Sequence, residues 1–434
     1  MCAHRPGRIS PTEGPIRRLG EVKTLRILVQ KFGGTSVATP AQRARAATKV
    51  LEAKARGYSP VVVVSAMGRM GEPYATDTLI DLVRKAHNEV DRRELDLVLS
   101  CGEVISTVVM AQTLRAMGCP AVGLTGAQAG IITDDNFGNT SILEVRPDRV
   151  VEQLRDGKVV VVAGFQGVTR SGDVTTLGRG GSDTTAAALA VALGAEAVEI
   201  YTDVEGIMTA DPRIVPDARS LRAMTYREVV EMAHLGAKVV HPRAVEIAME
   251  GGIPIWIRNT FSDEPGTLVT RTGTVSDGAV IRSDKVATGV THLANVAQIR
   301  IDSSEDVNES GVARRVFRAL ADAGISVDLI NVFPEFICFT VSEDLAETAV
   351  AVLERLDIDG LTIRMVRGCA KVSVVGAGMR GVPGVMARVV EALAEAKVPI
   401  YQTADSHASI SCLVRKEDLQ KAMRSLHAKF GLGV

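Results

Sequence analysis

Aromatic side chains are scarce in this chain: they make up 3% of its 434 residues, with a single tryptophan. Platforms on which successive nucleobases stack are therefore excluded as a main device. Charge of one sign is missing as well, since 50 Lys+Arg face 51 Asp+Glu for a formal net charge of -1. Without a basic excess no nucleic-acid partner is expected, although a local anion site stays open. The six cysteines (Cys2, Cys101, Cys119, Cys338, Cys369 and Cys412) include no C-x-x-C pair and have no histidine pair beside them. Neither a zinc site nor a disulfide framework is expected, and the thiols read as small buried hydrophobes of a reducing cytoplasm. No run approaches the ~18 apolar residues of a membrane span, so no membrane partner is expected. Residues 1–24 are basic but lack an apolar stretch. They read as a disordered extension rather than a secretory signal.

What is present is a large apolar fraction, 46%, on a chain long enough for two or three domains. From Leu25 the pattern alternates. "LRILVQ" reads as a strand, "AQRARAATKVLEAKARG" as a helix and "VVVVSAMG" as a strand. Later come "VVVVAGFQG", the helix "SDTTAAALAVALG" and the strand "AVEIYTDVEG". Continuous Val-rich strands separated by helices predict an α/β domain whose mainly parallel sheet is covered on both faces. The expected domain spans 25–262, and a polar stretch over 263–290 reads as a linker.

The remainder contains an internal repeat. "GVARRVFRALADAGISV" from Gly311 returns as "GVMARVVEALAEAKVPI" from Gly384, without a gap. Two small α+β units are expected, 291–368 and 369–434, packed on each other or on a partner copy. The repeat also resolves a trap. Gly376, Gly378 and Gly381 spell G-x-G-x-x-G after an apolar run, the dinucleotide fingerprint. The matching positions of the first copy are Ser303, Glu305 and Asn308. Too little chain follows for the further βα units of a dinucleotide fold. The glycines read as a turn leading into a helix.

Chemistry concentrates in the first domain. "KFGGTS" (Lys31 to Ser36) follows the first strand directly. Gly33 and Gly34 allow close backbone approach to an anion, the next helix offers N–H groups, and Lys31 adds a charge. The Lys precedes the glycines, so this is not a Walker A loop. "TTLGRGGSDTT" opens a later helix with Arg179, Gly180, Gly181, Ser182 and Asp183. A helix cap at Ser182 or Asp183 would explain only part of that string. Two glycine–hydroxyl loops at strand ends imply a crevice for an anionic substrate. "SCGEVIS" puts Glu103 near an expected helix start, where a surface carboxylate is an equal reading. Thr202 and Asp203 end another strand, and His241, just before Pro242, reads as structural.

Together "VQKFGGTSV", "VVVVSAMG", "GFQGV", "TTLGRGGSDTTAAAL", "YTDVEGIMTADPR" and "GAKVVHPRAVEIA" resemble the aspartokinases of the amino-acid kinase superfamily, and the repeat resembles their tandem ACT domains. "SAMGRMGEPYATDTL" and "ADSHASISCLV" resemble the single-function, diaminopimelate-regulated branch. The resemblance implies ATP-dependent phosphorylation of the L-aspartate side chain, at the head of lysine, threonine, methionine and diaminopimelate synthesis. It implies that Lys31, Gly33, Gly34 and Lys238 meet the ATP phosphates, with Phe32 and Val239 also in the ATP site. Thr202, Asp203, Met208 and Arg213 would line the nucleotide side. Ser65, Thr76, Glu103, Arg179, Gly180, Gly181 and Ser182 would hold aspartate, with Glu103 on the ammonium group and Arg179 on a carboxylate. Asp183 would orient Lys31 or the surroundings of Mg²⁺, and no protein-held metal site is expected. Ser304, Asp328 and Asp405 are candidate contacts for an amino-acid effector (diaminopimelate, lysine or threonine). A homodimer through the ACT units is expected. Three other readings compete: another amino-acid kinase, a kinase–dehydrogenase fusion, and a non-catalytic amino-acid sensor.

Overall fold

The computed structural model describes residues 25–272 except 238, then 286–304, 307, 311–356, 358, 360–379 and 381–433. The first unit contains, in chain order, β1 (Ile27–Phe32), α1 (Gly34–Val37), α2 (Pro40–Ala55), β2 (Ser59–Val64), α3 (Thr76–Ala86), α4 (Arg92–Ala116) and β3 (Ala121–Leu124). Next come β4 (Ile131–Thr133), β5 (Ile142–Val145), α5 (Asp148–Arg155), β6 (Val159–Ala163), β7 (Gln166–Thr169), β8 (Val174–Thr176), α6 (Gly181–Leu193) and β9 (Ala197–Thr202). The unit ends with β10 (Ala223–Thr225), α7 (Tyr226–His234), α8 (Pro242–Gly251), β11 (Ile255–Asn259) and β12 (Thr267–Thr270).

Its main sheet has the order β10-β12-β11-β9-β1-β2-β6-β3. Every pairing is parallel except β11 with β12. Side chains alternate along β1. Ile27 and Val29 join one core with Ala186, Leu189 and Ala190 of α6 and Ala244 of α8. Phe32 joins the opposite core with Ala46 and Val50 of α2 and Met110 of α4. Both faces are thus covered, as the Val-rich strands require. Thr39 starts α2 with a capping box to Gln42, and Pro40 occupies its first turn.

A smaller sheet, β5-β4-β7-β8, was not expected from the sequence. Its strands have three or four residues, too short for a periodicity to register.

The second part contains β13 (Gly289–Ser303), α9 (Val312–Asp322), β14 (Asp328–Val332), β15 (Phe336–Ser342), α10 (Ala346–Glu354), β16 (Leu361–Val375), α11 (Val385–Glu395), β17 (Gln402–Asp405), β18 (Ser409–Arg415) and α12 (Leu419–Lys429). The sequence repeat is a structural repeat: α11 and β18 occupy the positions of α9 and β15 displaced by 73 residues. All strands join one antiparallel sheet, β14-β15-β13-β16-β18-β17. β13 serves both copies. Val290 lies in the core with α11 and α12, whereas Ala297, Ile299 and Ile301 lie in the core with α9 and α10. Asn295, at φ 59°, marks the irregularity between the two halves.

Gly376 and Gly378 fall in the turn after β16. A Cβ at Gly376 would lie 2.3 Å from the Val286 carbonyl oxygen. That glycine answers a packing need, not a pyrophosphate.

One expectation needs correction, and one helix needs comment. Cys101 is exposed, while Cys119, Cys338, Cys369 and Cys412 are buried. α4 is long and apolar enough by composition to cross a membrane, but half of its apolar window is buried within the fold. Its inward face packs Met110, Ala111 and Leu114 on the sheet, which explains the high hydropathy of a core helix.

Candidate active site

Strand register decides which loops meet. Phe32 pairs with Val64 and with Tyr201, and Val64 pairs with Ala163. The residues that follow (Gly33, Ser65, Thr202 and Gly164) therefore emerge at one carboxyl edge of one sheet. This is the edge where open α/β sheets bind ligands.

The glycines permit the loops to abut. A Cβ on Gly34 would come within 2.5 Å of the Ala66 carbonyl oxygen, and one on Gly164 within 2.8 Å of Ser182 Cβ. Gly68 N–H donates to the Gly34 carbonyl at 3.2 Å. Phe32 stacks on Tyr201 at 4.8 Å between ring centroids, fixing β1 against β9 below the crevice.

Lys31 shares its face of β1 with Val29 and so points toward α6. Its Nζ lies 2.7 Å from Asp183 Oδ1, with both side chains largely buried. Asp183 Oδ2 accepts the His241 backbone N–H at 3.3 Å. The ammonium is thus held at the first turn of α6. Neither Ser182 nor Asp183 caps that helix. Gly180 takes the cap position at φ 69°, with no side-chain cap bond. A Cβ there would lie 2.1 Å from His241 Cγ, so the turn rests directly on the imidazole. Burial pushes the His241 ring below its ordinary pKa despite the attraction of Asp183. This supports the reading of His241 as structural. Arg179, at the tip of the turn, is exposed.

Glu103 departs from its sequence reading. It lies in the middle of α4, not near a helix start, and is 2% exposed. Its Oε1 accepts the Ala66 N–H at 3.0 Å, while the buried Oε2 has no hydrogen-bond partner. Burial pushes its carboxyl up to about 8, only partly offset by the Ala66 bond. A buried carboxylate oxygen without a partner beside a glycine-lined crevice is matched to a cation. Gly102 lets α4 approach: a Cβ there would meet Ala66 Cβ at 2.9 Å and the Tyr74 carbonyl at 3.0 Å.

The nucleotide-side candidates sit along the same edge. Thr202 ends β9, and Asp203 Oδ2 accepts from Arg69 Nη2 at 3.2 Å, tying the β2 loop to the β9 loop. Met208 bridges to Ser220, and Arg213 pairs with Asp211 at 2.7 Å with its own side chain exposed. Thr76 opens α3 as its first residue. Lys238 lies outside the described residues; Val239 follows it half-buried.

Sequence reasoning missed two contributors. Asp96, fully buried on α4, accepts from the Thr176 N–H at 2.8 Å, Thr176 Oγ1 at 2.6 Å and the Gly138 N–H at 3.0 Å. It thereby fixes the strand that leads into the Arg179 turn. Arg69 is the other, and its place in "SAMGRMG" offered no signal for a partner in a distant loop.

The effector candidates all lie on the antiparallel regulatory sheet or at its edge. Asp328 pairs with Lys371 and lies opposite Thr340 at one end of β15. Ser304 follows the other end of that pairing, where Asp302 faces Phe336, and its N–H donates to Gly360. Asp405 closes β17. Glu305, Asp306, Asn308, Glu309 and Ser310, next to Ser304 in sequence, lie outside the described residues.

Residues 26–259 match the amino acid kinase family, and residues 303–356 and 364–428 each match an ACT domain. Over 408 residues the chain is 48% identical to aspartokinase 1 of Bacillus subtilis, covering 94% of this chain and 100% of that one. It is similar to the crystal structure of E. coli aspartokinase III in complex with aspartate and ADP, R-state, with TM-score 0.75 at 27% identity over 93% of this chain and 99% of that one. The T-state structure of the same E. coli protein, in complex with lysine and aspartate, gives TM-score 0.73 at 26% identity over the same shares. With its catalytic-type crevice, its paired C-terminal repeats and these relatives spanning nearly its whole length, the chain belongs to the amino acid kinase family, and within it to the aspartokinases.

Proposed function

We infer that the chain is an aspartate kinase regulated through its ACT units. It transfers a phosphoryl group from ATP to the side-chain carboxylate of L-aspartate, giving 4-phospho-L-aspartate and ADP. This step precedes the synthesis of lysine, threonine, methionine and diaminopimelate. The acceptor carboxyl has an ordinary pKa of about 3.9 and is ionised at neutral pH, so no general base is needed. The obstacle is repulsion between that carboxylate and the polyphosphate, and catalysis consists of positioning and charge neutralisation.

Each residue then has a physical role. Lys31, held by Asp183, supplies positive charge to the phosphates beside the N–H groups of Gly33 and Gly34. Lys238 adds a second charge. Mg²⁺ would enter with ATP and would neutralise charge on its phosphates, the task it shares with Lys31 and Lys238. Thr202, Asp203, Met208 and Arg213 line the nucleotide side. Glu103 takes the ammonium group of aspartate, and Arg179, with Ser65, Thr76, Gly180, Gly181 and Ser182 around it, takes a carboxylate. Asp183 keeps Lys31 in place and abstracts no proton. A homodimer through the ACT sheets, with diaminopimelate, lysine or threonine as effector, completes the reading.

The observation that carries the substrate assignment is the buried Glu103 carboxyl with one oxygen unpartnered, bonded through its other oxygen to Ala66 in the loop that abuts Gly34. An amino acid offers Glu103 its ammonium group, and its side-chain carboxylate is then the group presented to the phosphates that Lys31 serves. N-acetylation would abolish the ammonium and leave Glu103 buried without a partner. Initial rates of ADP release with aspartate, glutamate and N-acetylglutamate test this. Turnover is expected with aspartate only, and turnover of N-acetylglutamate at a comparable rate would refute the assignment.

A further inference from the structure

Residues 208–220 belong to the kinase unit by sequence but not by packing. Ala210 and Val215 lie in one core with Leu393 of α11 and Ala422, Met423 and Leu426 of α12. The segment is pinned from the regulatory side at several points. Arg424 Nε donates to the Ile214 carbonyl at 2.8 Å, and Arg219 Nε donates to the Leu432 carbonyl at 3.2 Å. The Val290 N–H donates to the Thr209 carbonyl at 2.8 Å.

At the centre lies His427, fully buried on α12, with Nε2 2.9 Å from Thr209 Oγ1. Thr209 is also fully buried, and its hydroxyl accepts the Arg219 N–H at 3.1 Å, closing the two ends of the segment on each other. With that acceptance made, the hydroxyl proton is free for the imidazole. On that assignment Nε2 is the acceptor and Nδ1 the protonated nitrogen. Nδ1 has no hydrogen bond and faces Asp217 Oδ2 at 3.8 Å. Burial favours the neutral ring, with Arg219 acting in the same direction and Asp217 opposing. An apolar residue would fill this space equally well. A hydrogen-bonding tip there instead specifies where Thr209 sits, and with it Met208 on one side and Arg213 on the other.

We propose that His427 is a positioning residue for nucleotide binding: through Thr209 it sets the segment that carries Met208 and Arg213, so the last regulatory helix fixes one wall of the ATP site. This rests on the reading that Met208 and Arg213 line the nucleotide side.

The test compares kcat, the two KM values and a direct ADP titration across a small set of variants of the full chain. His427→Leu removes the bond, and so does His427→Asn, whose amide reaches only the Nδ1 position. His427→Gln places an acceptor near the Nε2 position and should rescue. Thr209→Val removes the same bond from the other side at almost constant shape, and it carries the test if His427→Leu does not fold. His427→Leu, His427→Asn and Thr209→Val should each raise the KM for ATP and the Kd for ADP about fivefold, the loss of one buried hydrogen bond, with the KM for aspartate within twofold. A purely structural role predicts otherwise: His427→Gln as impaired as His427→Leu, or activity falling only with the folded fraction. Either result overturns the proposal. Arg213→Ala separates the two layers of the argument. If it raises the KM for ATP while the Thr209 and His427 variants do not, the proposal alone fails. If Arg213→Ala also changes nothing, the nucleotide-side reading of the segment fails and takes the proposal with it.

Discussion

Lys31 and Glu103 are both ionisable side chains placed in the interior, and each invites a distinct experiment. Lys31 faces the phosphate side, held at 2.7 Å by Asp183. Its alanine variant should lose about 10²–10³ in kcat, the scale for removing one preorganised electrostatic partner, with the KM for aspartate changed only a few-fold. Initial rates at saturating ATP decide this. A rise in aspartate KM alone would place Lys31 on the wrong substrate. Glu103 titrates at about 8 in the folded protein, against about 4.3 in an unfolded chain. Between those values the folded state holds the extra proton, so this carboxyl lowers stability as pH rises through the window. An ammonium group reverses the preference, because it needs the ionised form. Below about pH 8 the KM for aspartate should fall by about tenfold per pH unit as pH rises. Glu103→Gln should abolish that slope and raise KM about 10–100-fold, the loss of a charge-assisted hydrogen bond. A parallel slope in the variant would show that another group titrates.

The loops at the sheet edge behave as one piece because glycine lets their backbones touch. At Gly34 the backbone is ordinary, and only space is short. A Cβ would meet the Ala66 carbonyl at 2.5 Å and the Gly68 carbonyl at 3.1 Å. Ala66 also donates its N–H to Glu103. Gly34→Ala must therefore push the loop after β2 away and disturb the phosphate side and the aspartate side together. Both KM values should rise and kcat should fall at least about tenfold, while thermal stability drops by no more than about 1–3 kcal/mol, the range for local overpacking. A pure ATP effect would show that the two loops move independently. The same contacts explain what was legible beforehand. The strands, the helices and the glycine loops are local in sequence, so periodicity and motif reveal them. The sequence misplaces Glu103 because α4 begins at Arg92, about three turns before it, and runs through Asp96 and Ser100, polar residues that look like a helix start until burial is known. Asp96 and Arg69 act through partners some 80 and 134 residues away, and no local pattern records such pairs. The lower sheet was missed because its strands are too short to show a period.

At the scale of the whole molecule, regulation requires that the ACT sheet have a grip on the catalytic unit, and α7 supplies one. Glu228 Oε1 accepts from Thr288 Oγ1 at 2.6 Å, just before β13. Glu231 Oε1, one turn on, accepts from Ser406 Oγ at 2.7 Å and Ser409 Oγ at 2.6 Å beside β18. Beyond the helix the Leu235 carbonyl accepts from Thr291, and Gly236, at φ 113°, lies where a Cβ would be 2.0 Å from the His292 carbonyl. The chain then runs to Lys238 and to His241, which contacts Asp183. An effector can inhibit only through a difference in affinity between two arrangements, and that difference must reach the crevice through contacts of this kind. Glu231→Ala removes two of them without touching the crevice. Lysine, diaminopimelate and threonine are to be compared by thermal shift and by inhibition of turnover. The ligand that raises the melting temperature of the wild type should do so equally in the variant, because its own site is intact. Its half-inhibitory concentration should rise at least about fivefold, the lower end of ordinary allosteric coupling. Basal kcat should stay within twofold. If binding and inhibition weaken by the same factor, Glu231 belongs to the effector site; if neither changes, the signal passes by the His427 side of the sheet rather than by α7.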